Sequence, residues 1–225
     1  VKKFIHKHSS LLIGGILGGM LVFAGVLLMD KIWPNTSGAV RYDGSGVDIA
    51  WLPKTVVRFE KDITKQAQRY NVDPKLIAII MTLESGGYTK ADSGQARGLM
   101  QVTPYTGDDI ARKFLHSKRE KYDLFDPQTS IEFGAAYLSY LRTEFCDHTM
   151  NEDYCVELIA AGYNGGPGAA NSLYKGSGLQ DVQTATYSRN ALNMWRERRA
   201  PKSPTYDRWL AAGGQSLVTA AENEQ

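Results

Sequence analysis

The stretch Leu76-Ile77-Ala78-Ile79-Ile80-Met81-Thr82-Leu83-Glu84-Ser85-Gly86-Gly87, followed by Gly98-Leu99-Met100-Gln101-Val102, decides how this chain folds. Its first part is an apolar helical run that reads as a buried helix, and Glu84 closes it. A lone glutamate at a helix end normally turns to solvent. At the end of a buried helix an ionised carboxylate is expensive, so it is either paired or functional. Desolvation there lifts a carboxyl toward neutrality, which is what a general acid needs in order to hold its proton near pH 7. The glycine-rich stretch that follows favours the functional reading.

Working outward, Asp73-Pro74 supplies an N-cap with proline at the first helical position. The same device recurs at Thr103-Pro104 and Asp126-Pro127. Upstream, Val56, Phe59, Ile63, Ala67 and Tyr70 fall at three- and four-residue steps and predict one helix from Thr55. Downstream, Ile131, Ala135, Leu138 and Leu141 share a face, and another helix runs from about Glu152 to Tyr163. Gly165-Gly166-Pro167-Gly168 breaks that helix and opens a short one. A longer helix near 182–199 and a last piece near 206–212 complete the pattern, with no strand periodicity in competition. The expectation is a mainly α, single globular domain over residues 55–212. Residues 30–54, rich in Gly and Pro, read as a linker, and 213–225 as a flexible tail.

Composition adds limits. The chain has 43% hydrophobic and 22% charged residues and a net charge of +2, ordinary for a globular protein and no footprint for nucleic acid. Lys2, Lys3 and Lys7, within a basic tip at residues 1–10, precede an uncharged apolar run from Leu11 to Met29. Such a run spans roughly 28 Å as a helix, enough to cross a bilayer. It is longer than a signal-peptide core, and Leu27-Leu28-Met29-Asp30-Lys31 is a poor cleavage site. Residues 11–29 are therefore expected to be a transmembrane anchor in the cytoplasmic membrane, with the rest of the chain outside the cytoplasm. In that compartment Cys146 and Cys155 pair as a disulfide; two buried thiols are the other reading. No cofactor is implied, and neither cysteine has His at metal-ligand spacing, so no metal is expected.

Four motifs in order carry a resemblance. Glu84-Ser85-Gly86-Gly87 with Ala91-Asp92-Ser93-Gly94-Gln95-Ala96-Arg97-Gly98-Leu99-Met100-Gln101-Val102-Thr103-Pro104 resembles the catalytic region of the soluble-lytic-transglycosylase domain family, whose fold is lysozyme-like, similar to goose-type lysozyme. Leu124-Phe125-Asp126-Pro127 with Gly134-Ala135-Ala136-Tyr137-Leu138, then Ala161-Gly162-Tyr163-Asn164-Gly165-Gly166-Pro167-Gly168, then Gln183-Thr184-Ala185-Thr186-Tyr187 resemble its later segments. The resemblance implies a lyase that cleaves peptidoglycan between N-acetylmuramic acid and N-acetylglucosamine. Glu84 is implied as the acid that protonates the glycosidic oxygen. Its carboxylate then takes the muramoyl C6 hydroxyl proton as a 1,6-anhydro ring closes.

By the same analogy Gln101 bonds sugar or orients Glu84, and Ser93 and Met100 line the groove. Met100 has core filler as its competing role. Tyr163, with Asn164 beside it, is the first choice to hydrogen-bond Glu84 or substrate, and Tyr187 the second. A buried Tyr163 bonded to backbone is the plainer reading. The chain departs from the family at two points. Asp92 stands where the family has Ser, with Ser93 one residue later, and Gln183 replaces a family glutamate. Asp92 thus raises a second reading, an inverting hydrolase with Asp92 as base, against a solvated loop residue. An inactive, membrane-anchored peptidoglycan-binding protein is the third. The partners expected are glycan strands, the membrane, and a cell-wall or secretion-machinery protein.

Overall fold

The computed structural model describes residues 40–113, 122–147 and 149–224. The predicted anchor at 11–29 lies outside them. Among the described residues no helix is long and apolar enough to cross a membrane.

The chain forms helices α1 (Lys54–Val57), α2 (Glu60–Tyr70), α3 (Pro74–Ser85), α4 (Pro104–Lys113), α5 (Pro127–Phe145), α6 (Glu152–Tyr174), α7 (Val182–Glu197) and α8 (Pro204–Trp209). A π-helical turn (Leu210–Gly214) then leads into α9 (Gln215–Glu222). Side-chain caps start them where the sequence offers acceptors. Asp73 accepts from the Lys75 amide at 2.7 Å, Asp126 from Thr129 at 2.8 Å and Asp181 from Thr184 at 2.7 Å. The stripe from Val56 to Tyr70 is divided between α1 and α2, because the chain leaves helical geometry at Phe59.

The core is built around α3. Every residue from Leu76 to Leu83 is buried, so this helix is apolar on all sides, as a central helix must be. The hydroxyl of Thr82 is satisfied within the helix by the Ala78 carbonyl at 2.8 Å. Helix α6 packs against α5 and α7, α2 lies on α5, and α7 meets α3. Within α6 the backbone turns at Gly166 (φ 78°, ψ 171°), ahead of Pro167. Cys146 and Cys155 form a disulfide with a Cα–Cα distance of 5.4 Å, tying the end of α5 to the first turn of α6.

Two boundaries differ from the sequence-based expectation. From Val40 onward the expected linker is part of the domain: Val40, Val47, Ile49, Trp51 and Leu52 are all buried in the core cluster. The Asp73 amide donates to the Val40 carbonyl at 2.9 Å, and the Trp51 indole to the Glu197 carbonyl at 3.0 Å. The expected tail is helix α9, which buries Val218 and Ala221. In both segments a few apolar residues spaced among Gly, Pro and polar ones suffice, because they land on surface that other elements leave open.

Candidate active site

Glu84 is the penultimate residue of α3 and remains partly accessible. The negative end of the helix dipole already disfavours charge on it. Burial of the carboxyl raises its pKa from 4.5 to about 7, and a hydrogen bond from Tyr187 opposes that rise. The Tyr187 hydroxyl donates to Glu84 Oε1 at 2.6 Å. Helix α7 carries Tyr187, and its start is fixed by the Asp181 cap.

Tyr163, expected first at Glu84, does something else. Its hydroxyl donates to the Met100 carbonyl at 2.8 Å, while its ring leans on Tyr137 with centroids 5.5 Å apart. Burial first, and then the Glu84 charge, push both the Tyr163 and Tyr187 phenols well above their usual range. Both therefore stay protonated as donors: Tyr187 touches the acid, and Tyr163 holds the loop beside it.

That loop, residues 91–102, is folded back through antiparallel bridges Asp92–Arg97 and Arg97–Val102. Gly98 sits at φ +75°, and a Cβ there would lie 1.8 Å from the Leu124 carbonyl oxygen. Only glycine fits. Gln101 is a non-glycine residue at φ +43°. Its side-chain amide donates to the Ala91 carbonyl at 2.9 Å and the Gly98 carbonyl at 3.1 Å. These bonds make Gln101 a clasp on the loop, not a partner of Glu84. The Ser130 hydroxyl receives the Met100 amide at 3.1 Å, anchoring the loop on α5. Sequence reasoning missed Ser85, whose hydroxyl donates to the Leu99 carbonyl at 2.8 Å. The residue next to the acid is thus bonded to the loop, and a serine ending an apolar helix was the available signal.

The other expected residues separate. Met100 is fully buried and packs where Gly134 leaves room, a Cβ on Gly134 falling 2.6 Å from its terminal methyl. It is core, not groove wall. Asn164 accepts from the Thr184 hydroxyl at 3.1 Å and joins α6 to α7. Next to it, Gly165, Gly168, Ser172, Gln180 and Thr184 line a cavity of about 210 Å³. Ser93 is exposed and closes a turn by accepting the Ala96 amide at 3.0 Å. Asp92 is also exposed, accepts the Gly94 amide at 2.7 Å and lies 3.8 Å from Arg97.

The site thus joins a partly accessible acid at a helix end, a phenol on its carboxyl and a clasped glycine loop bonded to the residue beside it. The family described as "Transglycosylase SLT domain" matches residues 61–185. The chain belongs to this family. Among curated relatives are the membrane-bound lytic murein transglycosylases C of Yersinia pestis (strain Pestoides F) and Yersinia pseudotuberculosis serotype O:1b (strain IP 31758). Each is 34% identical over 159 residues, which is 68% of this chain and 44% of theirs. The chain thus spans less than half the length of the curated relatives it matches. The SLT fold is also seen in two solved structures. Lytic transglycosylase Slt from Pseudomonas aeruginosa, solved as an inactive mutant, has a TM-score of 0.50 at 24% identity, over 64% of this chain and 25% of that one. The 70 kDa soluble lytic transglycosylase from Escherichia coli gives 0.52 at 21% identity, over 66% and 25%.

Proposed function

We propose that this SLT-family chain is a peptidoglycan lytic transglycosylase with Glu84 as its one catalytic carboxyl. The observation that carries the reading is the Glu84 environment. Burial keeps the group protonated up to about pH 7, while the Tyr187 hydroxyl fixes one oxygen at 2.6 Å. A protonated carboxyl in that position gives its proton to the glycosidic oxygen as an oxocarbenium-like centre develops at C1 of the muramoyl residue. The carboxylate left behind is held by the Tyr187 hydrogen bond, which is stronger to the charged form. It then accepts the proton of the C6 hydroxyl as that oxygen bonds to C1. The acid is restored, and the product ends in a 1,6-anhydro sugar. An internal nucleophile needs no second carboxylate to activate water, and its proximity replaces the cost of positioning a solvent molecule.

The hydrolase alternative draws no support from Asp92, an exposed turn residue occupied with the Gly94 amide. The relatives are named membrane-bound and murein-directed. Together with the apolar run at 11–29, this supports a membrane-tethered enzyme acting on glycan strands on the outer side of the cytoplasmic membrane.

The test is mass analysis of fragments released from purified peptidoglycan. Anhydro ends, lighter than reducing ends by one water, are the expected product, and Glu84→Gln releases none. Fragments with free reducing ends would transfer the assignment to a hydrolase. Full turnover by Glu84→Gln would remove Glu84 from the acid role.

A further inference from the structure

The turn that follows Glu84 is gripped from two sides by residues outside the matched SLT segment. On one side stands the α1 region. The Thr55 hydroxyl donates to the Gly86 carbonyl at 2.6 Å, and the Arg58 guanidinium donates to the Gly87 carbonyl at 2.8 Å. A Cβ on Gly87 would lie 2.3 Å from the Thr55 carbonyl oxygen. On the other side stands α9. A Cβ on Gly86 would lie 3.0 Å from Val218 Cγ2 and 3.3 Å from Leu217 Cβ. Beyond α9, Glu224 closes the ring. It accepts from the Thr89 amide at 3.1 Å, the Thr89 hydroxyl at 2.7 Å and Arg58 at 3.3 Å. The domain match covers 61–185, so Thr55, Arg58, Leu217, Val218 and Glu224 all lie beyond it.

We infer that Glu224 and α9 form a brace that positions Glu84, Glu224 acting through Thr89 and Arg58 on the Gly86–Gly87 turn. This rests on the reading of Glu84 as the general acid. The chain of contact is short. Gly86 caps α3 in left-handed geometry (φ 58°), and Glu84 lies two residues before it. The 2.6 Å bond to Tyr187 and the burial of the carboxyl both depend on where that last turn sits. When the turn loosens, water reaches the carboxyl and the Tyr187 bond lengthens. Hydration favours the ionised form, so Glu84 gives up its proton at lower pH than in the braced enzyme. Glu224 is suited to the task as an anion. Burial raises its pKa, but the bonds from Thr89 and Arg58 outweigh that and hold it below the usual carboxylate value. It therefore remains charged across the pH range in which Glu84 titrates.

The experiment compares the full chain with Glu224→Ala, Glu224→Gln and, at the last residue of α9, Glu222→Ala, an exposed position. Two readouts are taken: the pH profile of anhydro-fragment release from soluble glycan oligomers, and the carboxyl 13C titration of Glu84, assigned by its loss in Glu84→Gln. For Glu224→Ala we expect kcat to fall about tenfold with KM unchanged, less than the roughly hundredfold that a 1 Å misplacement of reacting groups costs. The alkaline limb and the Glu84 titration both move to lower pH by about half a unit. Glu224→Gln, which keeps an acceptor for Thr89, recovers part of both, and Glu222→Ala matches the parent. An unchanged limb and titration in Glu224→Ala overturn the inference, whether or not the melting temperature falls, because a purely structural role predicts lost stability alone. If Glu224→Ala does not fold, Val218→Ala and Thr89→Ala carry the same test, and unchanged titration in both overturns it. A parent enzyme that releases no anhydro fragments sinks the functional reading, while the 13C titration still decides the brace.

Discussion

Glu84→Gln is expected to destroy activity and at the same time to stabilise the protein, by an amount that depends on pH in a defined way. Lifting the carboxyl from 4.5 to about 7 means that ionising it costs the native state about 3 kcal/mol more than the unfolded chain. Below pH 4.5 both states hold the proton, and there is no penalty. Between 4.5 and 7 the unfolded chain releases its proton while the native state keeps it, so the native state loses stability as pH rises. Above 7 the full penalty is present and constant. The amide is never ionised and pays none of it, and its oxygen still accepts the Tyr187 hydroxyl. Its nitrogen, lacking a partner, takes back about 1 kcal/mol. The variant is therefore expected to match or fall slightly below the parent at pH 4, and to exceed it by about 2 kcal/mol at pH 8. For a domain of this size that is a melting-temperature gain of about 4–8 °C. Urea unfolding of both proteins at pH 4, 5, 6, 7 and 8 measures the gap without any substrate. A gap that stays constant across the series would show that Glu84 titrates normally, and the argument for its role as an acid near neutral pH would fail.

Tyr187→Phe removes the bond that favours the charged form of Glu84, so the alkaline limb of the pH profile should move up by about one unit. Tyr163→Phe should leave that limb in place and cost about 1 kcal/mol of stability through the lost bond to the Met100 carbonyl; equal limb shifts in the two variants would contradict the separation of their roles. Asp92→Asn should keep anhydro-product release within about twofold of the parent, since an exposed turn residue lies outside the proposed chemistry; a loss as large as that of Glu84→Gln would revive the hydrolase. Reducing the Cys146–Cys155 bond should cost about 2–3 kcal/mol in urea unfolding for so short a loop, with kcat unchanged below the transition.

What was legible in the sequence follows from the range of the forces involved. Helix starts were readable because a cap and its proline act within a few residues, as Asp73-Pro74 and Asp126-Pro127 do. The central helix was readable because eight consecutive buried positions leave no polar face to misjudge. Glu84 stood out for the same reason, a carboxyl at the end of a segment that water does not reach.

The errors all concern placement in three dimensions. Which of two tyrosines reaches Glu84 is set by how α6 and α7 pack against α3, and no local signal separates Tyr163 from Tyr187. Met100 was weighed as a groove wall because its neighbours are loop residues, yet its side chain enters the core through the gap that Gly134 leaves. The linker reading from Val40 onward and the tail reading departed from the structure for a deeper reason. Periodicity detects a segment that brings its own apolar face, whereas residues 40–52 and 215–224 each bring a few side chains to surface supplied by other elements. The first of those segments also reaches α8. The Trp51 ring lies tilted against Tyr206 with centroids 5.6 Å apart, and Tyr206 stacks on Trp209 at 5.7 Å. The two ends of the domain thus share an aromatic contact, while Arg58 and Glu224 share an ion pair beside the acid's own turn. A fold whose ends clasp the helix that carries the acid ties the rigidity of the site to residues a motif search passes over. The residues that decide how well Glu84 holds its proton are therefore to be sought at those ends as well as in the motif.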